Sequence, residues 1–324
     1  MRNLLRITAL TVLTALLAGA VAQEITLRAA DNQPEDYPTV QGLYHMAEYI
    51  ESATDGRIVM EVFPSGQLGD ERTTIEQVQL GVIDVVRTST SPVGEFYPPM
   101  GVYSLPYIFR GESHMWRVVN GPIGRELLDG LREADMVGLA YYDSGSRNFY
   151  TTETPIESAS DLEGMRIRTQ QSEVVLDMME ALGAEPVPMA FEEVYSSLQT
   201  GVIDGAENNF PSYGPFGVQH YEVAPYFTLD GHARVPEVVM ISQSTWDSLS
   251  AEDQAIVREA ALASATVQAS LWDDLVTESR EAVIEEGSEI FTVDTSEFQE
   301  AMDPLYEEYG AEFGELVDRI LATE

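Results

Sequence analysis

Two kinds of hydrophobic spacing alternate along the chain and predict strands that alternate with helices. Residues 24–30 alternate apolar and polar side chains, as a half-buried strand does. Residues 39–52 place Leu43, Met46 and Ile50 on one face of a helix. Further short apolar runs are predicted as strands, at 57–63, 82–86, 136–142, 165–168, 202–207, 226–230 and 235–243. The chain is therefore expected to be an α/β protein.

One six-residue pattern occurs twice. Residues 79–84 (QLGVID) match residues 199–204 (QTGVID), and in both copies a predicted helix ends at glycine before a strand. Repetition of one supersecondary unit predicts two similarly built lobes that face each other across a cleft. By this symmetry, Arg87 and Thr88 in the first lobe correspond to Glu207 and Asn208 in the second.

The chain after residue 250 predicts a long helix. Residues 250–286 contain neither Gly nor Pro, which predicts about ten helical turns, enough to span both lobes. The amphipathic tail, 298–321, is expected to pack on the second lobe, and residues 144–146 (SGS) are expected to form a hinge. The predicted lobe I comprises residues 23–145 plus about 233–270, and lobe II comprises 146–232 plus about 271–324.

The first 22 residues have the layout of a secretory signal peptide. Arg2 and Arg6 precede an apolar run at 7–18, and small residues at 20–22 predict cleavage after Ala22. That run is too short for a comfortable transmembrane span, and no later run approaches the roughly 20 apolar residues required. The mature protein is expected to be exported, without direct membrane insertion; the export signal alone does not name the compartment. There is no cysteine for a disulfide or a thiolate site.

The charge balance limits the possible partners. The formal net charge is -38, with 55 acidic residues and 17 basic residues that are all arginine. Nucleic acid and anionic lipid are therefore poor partners. The absence of lysine indicates a saline habitat, where a Debye length of about 3 Å at 1 M salt screens self-repulsion. GC-rich codon use with ordinary periplasmic acidity is the alternative explanation.

Two polar side chains are predicted to follow strands of the second lobe. Arg168 lies at a strand-to-helix junction, and Asn208 follows another strand. Ligands of open α/β sheets collect at the carboxyl ends of strands. An arginine fork matches a carboxylate bidentately, and an asparagine amide adds a donor and an acceptor. These residues indicate recognition of an anion, not bond cleavage.

Six short motifs in this region together resemble one family. They are Leu162-x-Gly164 with Arg168, Leu182-Gly183-Ala184, Met189-Ala190-Phe191, Glu193-Val194-Tyr195, Leu198-Gln199-x-Gly201 and Asp204-Gly205-x-Glu207-Asn208. In order and spacing, they resemble the DctP-type solute receptors of tripartite ATP-independent periplasmic (TRAP) transporters. The resemblance implies a two-lobed periplasmic binding protein fold with a spanning helix, a small organic acid as ligand and a membrane permease as partner.

The resemblance also implies roles for individual residues. Arg168 is the expected carboxylate clamp, Arg147 is a second arginine beside it, and Asn208 is a ligand contact. Phe191 is expected to cover the apolar face of the ligand. The remaining candidates come from their positions in predicted loops and strand ends: Gln171 in the second lobe, and Asn32, Glu35, Asp70, Arg87 and Thr88 in the first.

Other functions and ligands stay open at this point. The four histidines lack metal-ligand spacing, and no nucleotide-binding or hydrolase motif is present, so neither a metal nor a cofactor is predicted. A secreted enzyme with paired carboxylates and a ligand sensor for a membrane signalling protein are the competing classes. The polar first-lobe rim favours a sugar acid such as a hexuronate. A C4-dicarboxylate or another hydroxy acid is the alternative, and a zwitterionic compatible solute is a third.

Overall fold

The computed structural model describes residues 24–324, which form two β-sheets flanked by helices. The predicted signal peptide lies outside the described residues. The strands are β1 (Ile25–Ala30), β2 (Ile58–Phe63), β3 (Val85–Ser89), β4 (Met136–Tyr142), β5 (Arg147–Thr151), β6 (Arg166–Thr169), β7 (Glu185–Pro188), β8 (Gly205–Asn208), β9 (Tyr226–Ala233), β10 (Glu237–Ser242) and β11 (Glu289–Thr292).

Helices connect most of these strands. The α-helices are α1 (Pro38–Ala53), α2 (Glu71–Gln79), α3 (Thr90–Val93), α4 (Glu112–Val119), α5 (Pro122–Gly130), α6 (Glu173–Ala181), α7 (Val194–Gln199), α8 (Phe210–Tyr213), α9 (Gln243–Ser248), α10 (Ala251–Glu285), α11 (Ser296–Glu300), α12 (Asp303–Phe313) and α13 (Glu315–Leu321). Short 3-10 turns lie at Pro98–Ser104, Leu131–Ala134, Ala159–Leu162, Phe191–Glu193 and His220–Glu222.

Each sheet combines parallel and antiparallel strands. The first sheet has the order β2-β1-β3-β10-β4, in which β10 runs antiparallel to β3 and β4. The second has the order β11-β9-β5-β8-β6-β7, in which β5 runs antiparallel to β8 and β9. The strands β10 and β5 each come from the chain after it has crossed between the sheets, so neither sheet is built from one continuous segment.

Helix α10 links the two halves, as the sequence predicts. It has 35 residues, and the Ser250 side chain accepts a hydrogen bond from the Asp253 amide at its start. Its amino-terminal part buries Val257 and Ala261 in the core of the first sheet, while Val283 lies in a core of the second. A helix without Gly or Pro can remain straight over this length, so it connects both cores.

The two repeated glycines end helices in the same way. Gly81 and Gly201 have φ values of 68° and 70°, in the left-handed region that favours glycine. The following amides, of Val82 and Val202, donate back into the preceding turn over 2.8 and 2.9 Å. Both valines are exposed, so the chain is still turning where the sequence pattern predicts that a strand has begun.

The late strand starts change the position of three candidate residues. Because β3 begins at Val85, Arg87 and Thr88 lie inside the strand and not after it. Strand β8 also begins and ends later than predicted, so Asn208 is its last residue and pairs with Asn148 of β5. The sequence-based strand limits were wrong here because the helix-ending turn uses apolar residues.

The carboxyl-terminal tail packs differently from the prediction. Its apolar side chains Leu305 and Phe313 share a core with Met115 of α4 as well as Met178 of α6. The Tyr306 hydroxyl also donates to the carbonyl of Pro106, at 2.7 Å. The tail therefore contacts helices of the predicted lobe I and of lobe II, because its helices carry apolar residues toward both.

Candidate functional site

A narrow cleft lies between the two sheets. Its first wall comes from the loop after β1 and from α2, β3 and β10, and its second wall comes from β5, β6, β8 and the turn at Phe191–Glu193. The free volume of this cleft is only about 20 Å³. A ligand of sugar size therefore enters only if the walls separate.

Arg168 is the buried arginine on the second wall that lacks an acidic partner. It is 3% exposed, and no carboxylate within residues 24–324 lies within 4.0 Å of its guanidinium. Its Nε and Nη2 atoms donate to the Met189 carbonyl, at 3.2 and 2.9 Å, and its guanidinium carbon lies 5.9 Å from the Phe191 ring centre. Burial lowers the pKa of Arg168, although the Glu207 charge opposes this effect. The cleft thus holds a desolvated positive charge that an anion would neutralise.

Arg147 is buried beside Arg168 but already has a carboxylate partner. Its Nη2 atom donates to Oε1 of Glu207 at 2.8 Å and to the Glu207 carbonyl at 3.0 Å, and its Nε donates to Oε2. Burial disfavours the charges of both residues, but their mutual attraction outweighs it. The pKa of Arg147 is raised, and that of Glu207 is lowered to about 2.

His232 extends this charged cluster behind the second wall. Its Nδ1 atom lies 2.7 Å from Oδ2 of Asp230, a hydrogen-bond distance. Its Nε2 atom is 3.5 Å from Oε2 of Glu207 without hydrogen-bond geometry, so that attraction is electrostatic. Burial alone would lower the pKa of His232, but the two carboxylates raise it to about 9. The cluster fixes the Glu207 carboxylate and, through it, the Arg147 side chain.

Arg87 is the buried arginine of the first wall. Its Nε donates to Asp31 at 2.8 Å, its Nη1 to Glu237 at 2.8 Å, and its Nη2 to Asn32 at 2.9 Å and to Asp31. The carboxylates outweigh the effect of burial and raise the pKa of Arg87. Four hydrogen bonds to neighbours leave this guanidinium little capacity for a ligand.

Three residues that line the cleft each carry a buried side-chain oxygen atom without a hydrogen-bond partner among the residues described. These atoms are Oε1 of Gln33, Oγ1 of Thr39 and Oε1 of Gln170. A buried polar atom without a partner is costly, so such atoms are normally satisfied by water or ligand. These oxygens can accept hydrogen bonds from hydroxyl groups.

The cleft brings together six of the ten predicted site residues and places the others elsewhere. The six are Asn32, Arg87, Arg147, Arg168, Phe191 and Asn208. Gln171 and Asp70 line a small adjoining pocket. Because β6 extends to Thr169, Gln170 takes the cleft position expected for Gln171. Asp70 is used as the amino-terminal cap of α2, where it accepts from the Thr73 amide at 2.8 Å.

Two first-lobe candidates do not reach the cleft. Thr88 is buried inside β3, and its hydroxyl donates to Glu71 at 3.1 Å. Glu35 is exposed and accepts from the Tyr44 hydroxyl at 3.4 Å. Thr88 was predicted on the assumption that the first-lobe rim begins directly after residue 86, whereas β3 continues to Ser89. Glu35 was predicted from the polar loop after β1, where it lies at an exposed position.

The cleft also contains residues that the sequence analysis missed. Tyr37 and Ser212 connect the two walls, since their hydroxyl oxygens lie 2.8 Å apart. Glu71 and Glu237 line the first wall, and Trp272 of α10 also faces the cleft. The glutamates gave no usable signal in a chain with 55 acidic residues. Tyr37 lies in the polar loop after β1, which did point to this region.

Comparison with known proteins decides the family. The model of the DctP family, described as bacterial extracellular solute-binding protein, family 7, matches residues 29–312. The chain belongs to this family. DctP-family members act as solute receptors and not as enzymes. This confirms the predicted family and the prediction of a receptor instead of an enzyme. The family is extracellular or periplasmic and works with a membrane permease.

Solved structures of DctP-family proteins match this chain closely. A TRAP periplasmic solute-binding protein from Xanthobacter autotrophicus Py2, with bound β-D-galacturonate, is 44% identical, has a TM-score of 0.89, and the match covers 92% of this chain and 100% of that one. A TRAP solute-binding protein from Roseobacter denitrificans, with bound β-D-glucuronate, is 38% identical, with a TM-score of 0.89 and coverage of 92% and 100%. The predicted two-lobed α/β fold is therefore confirmed.

A more distant DctP-family relative differs in its named ligand. The C4-dicarboxylate-binding periplasmic protein DctP of Rhodobacter capsulatus is 30% identical over 309 residues, which cover 93% of this chain and 91% of that protein.

None of the helices within residues 24–324 has the length and apolar character needed to cross a membrane.

Proposed function

We propose that this protein is the periplasmic receptor of a TRAP transporter that binds a hexuronate and delivers it to the membrane permease. Arg168 clamps the carboxylate of the sugar acid, with Arg147 and Asn208 beside it. Phe191 covers an apolar face of the ring. The observation that carries this proposal is the buried guanidinium of Arg168, which faces the cleft without a carboxylate partner.

The polar character of the cleft supports a hydroxyl-rich ligand. The unpartnered oxygens of Gln33, Thr39 and Gln170 can each accept from a ring hydroxyl. The galacturonate and glucuronate bound by similar receptors have this chemistry. A C4-dicarboxylate is the alternative ligand and would leave most of these oxygens without a donor.

Ligand capture requires movement of the two walls. The space between them is too narrow to admit a sugar acid, and the chain crosses between the sheets at residues 143–146 and 234–236. Rotation about these crossings would open the cleft. Contacts from both walls would then favour the closed form, which the permease recognises. The signal sequence predicted at residues 1–22 would direct export.

Calorimetric titration tests both the ligand and the clamp. Wild-type protein is titrated with D-galacturonate, D-glucuronate, succinate and L-malate. We expect hexuronate binding at micromolar Kd and at least 100-fold weaker binding of the dicarboxylates. In Arg168→Ala, loss of two charge-assisted hydrogen bonds, each worth about 1.5–3 kcal/mol, should weaken hexuronate binding by at least about 100-fold.

Arg166→Ala is the matched control for this experiment. Arg166 lies on the same strand, but its guanidinium pairs with Asp204 outside the cleft. The hexuronate affinity of the Arg166→Ala variant should stay within about threefold of wild type, because an exposed ion pair contributes little. Wild-type affinity in Arg168→Ala would contradict the clamp, and preferential binding of succinate would contradict the hexuronate.

A further inference from the structure

Two carboxylates meet on the first wall at the end of β3. Glu71 begins α2, and its Oε1 atom accepts from the Ser89 amide at 2.8 Å. Glu237 begins β10 and pairs with the same Ser89 across the sheet. Both glutamates line the cleft. The carboxyl end of β3 therefore presents two acidic side chains from different elements.

These carboxylates give the cleft opposite charges on its two walls. Arg87 is shared by Asp31 and Glu237, so one guanidinium faces two carboxylates. Glu71 has no arginine within 4.0 Å in the part of the chain that the structure describes. The first wall thus has an excess of negative charge, while the second wall has the unpaired positive charge of Arg168.

This arrangement favours some chemical groups over others at the far end of the ligand, meaning the end opposite to the carboxylate that Arg168 would hold. An ionised carboxylate only accepts hydrogen bonds. Hydroxyl groups of the ligand can therefore donate hydrogen bonds to Glu71 and Glu237. A second carboxylate on the ligand could not donate to them. It would also meet like charge in a water-poor space, where such juxtaposition costs several kcal/mol.

We propose that Glu71 and Glu237 restrict this receptor to acids with a single carboxylate and a hydroxyl-bearing far end. Arg87 does not offset this selection, because its donors are already engaged by Asp31, Asn32 and Glu237. The inference rests on the proposed clamp at Arg168, which orients the carboxylate toward the second wall. It identifies the residues that reject diacids such as aldarates and C4-dicarboxylates.

The test compares two open-chain acids that differ only at one end. D-Galactonate ends in a hydroxymethyl group, and galactarate ends in a second carboxylate. Their Kd values are measured by calorimetry or by competition with D-galacturonate, for wild type, Glu71→Gln and Glu237→Gln. Burial raises the pKa of Glu237 to about 7, so the titrations are made at pH 8, where its carboxylate is ionised.

Glu76→Gln is the control for charge removal. Glu76 lies on the same helix as Glu71, is exposed and pairs with Arg72 at 3.4 Å, outside the cleft. We expect wild type and Glu76→Gln to prefer galactonate at least 30-fold. Each cleft substitution should reduce this preference at least tenfold through tighter galactarate binding, since about 1.4 kcal/mol corresponds to a factor of ten.

The outcomes separate this inference from the proposed function. Equal affinity of wild type for both acids, or an unchanged preference in both cleft variants, would overturn the role of the glutamates even if galacturonate binds. If galacturonate fails to bind but the preference for galactonate appears and falls in the variants, the hexuronate is rejected and the selection by Glu71 and Glu237 stands. Thermal melts show whether each variant is folded. Because Glu71 is only half-buried, its substitution should disturb the fold less than that of the buried Glu237.

Discussion

At the scale of single residues, three buried arginines differ in what surrounds them. Arg87 and Arg147 each have carboxylate partners, whereas Arg168 donates only to a backbone carbonyl among the contacts described. Burying a charge without a partner opposes folding, and such costs persist mainly at functional sites. The position of Arg168 is therefore better explained by ligand binding than by stability.

The buried cluster of Glu207 and His232 predicts a pH dependence of stability. The pKa of His232 is raised to about 9, so its contribution is complete below about 6.5 and is lost as pH rises through 9. The pKa of Glu207 is lowered to about 2, so its contribution is complete above about 4.5 and is lost as pH falls through 2. Urea unfolding of wild type should show a loss on the order of 1–3 kcal/mol between pH 6.5 and 9.5.

The His232→Gln variant isolates this effect. It should be less stable at pH 6.5 and should lose less further stability than wild type up to pH 9.5, because no imidazolium remains to be deprotonated and Glu237, whose pKa burial raises to about 7, accounts only for a smaller loss near pH 7. His45→Gln, on the half-buried face of α1, is the control and should keep the wild-type slope. A wild-type slope in His232→Gln would show that another group is responsible.

At the scale of elements, α10 is fixed to the first crossing by one side chain. Gln268 is fully buried, its Oε1 accepts from the Asp143 amide at 2.9 Å, and its Nε2 donates to the Asp143 carbonyl at 2.8 Å. This pair of hydrogen bonds satisfies backbone groups where the chain leaves β4. The helix therefore positions the crossing as well as connecting the two cores.

Gln268→Ala should be strongly destabilising. It leaves a buried amide and a buried carbonyl of Asp143 without partners, each of which costs about 1–3 kcal/mol. We expect a decrease of about 2–5 kcal/mol in the free energy of unfolding by urea. Glu278→Ala, at an exposed site of the same helix, should change it by less than about 0.5 kcal/mol. Equal effects of the two substitutions would remove the special role of Gln268.

At the scale of the whole molecule, charge opposes compactness. The net charge is -38, and the folded state holds these carboxylates closer together than the unfolded chain does. The buried ion pairs of Arg87 and Arg147 compensate only a small part of this repulsion between negative charges. Screening by salt should therefore favour the folded state.

Thermal unfolding should show this screening directly. Between 0.05 and 1 M NaCl we expect the protein to gain at least about 1 kcal/mol, or about 2–4 °C in Tm, as the Debye length falls toward about 3 Å. NaCl is preferred to sulfate, which strengthens hydrophobic burial by exclusion from the surface. A Tm that falls or stays constant would contradict self-repulsion as a significant cost.

The sequence by itself determined the alternation of elements, the repeated helix-glycine-strand unit, the long helix and the candidates Arg168, Arg147 and Asn208. The elements follow from local periodicity and glycine positions, and Arg168 and Asn208 follow also from residue chemistry at predicted strand ends. Arg147 came from the resemblance to the solute-receptor family, and all of these signals lie in short stretches of sequence. Only the tertiary structure decided that β3 extends past Arg87, that Asp31 and Glu237 engage that arginine, and that the tail packs on both lobes. These features depend on contacts between segments far apart in the chain, and the many glutamates gave no local sign of which two would face the cleft.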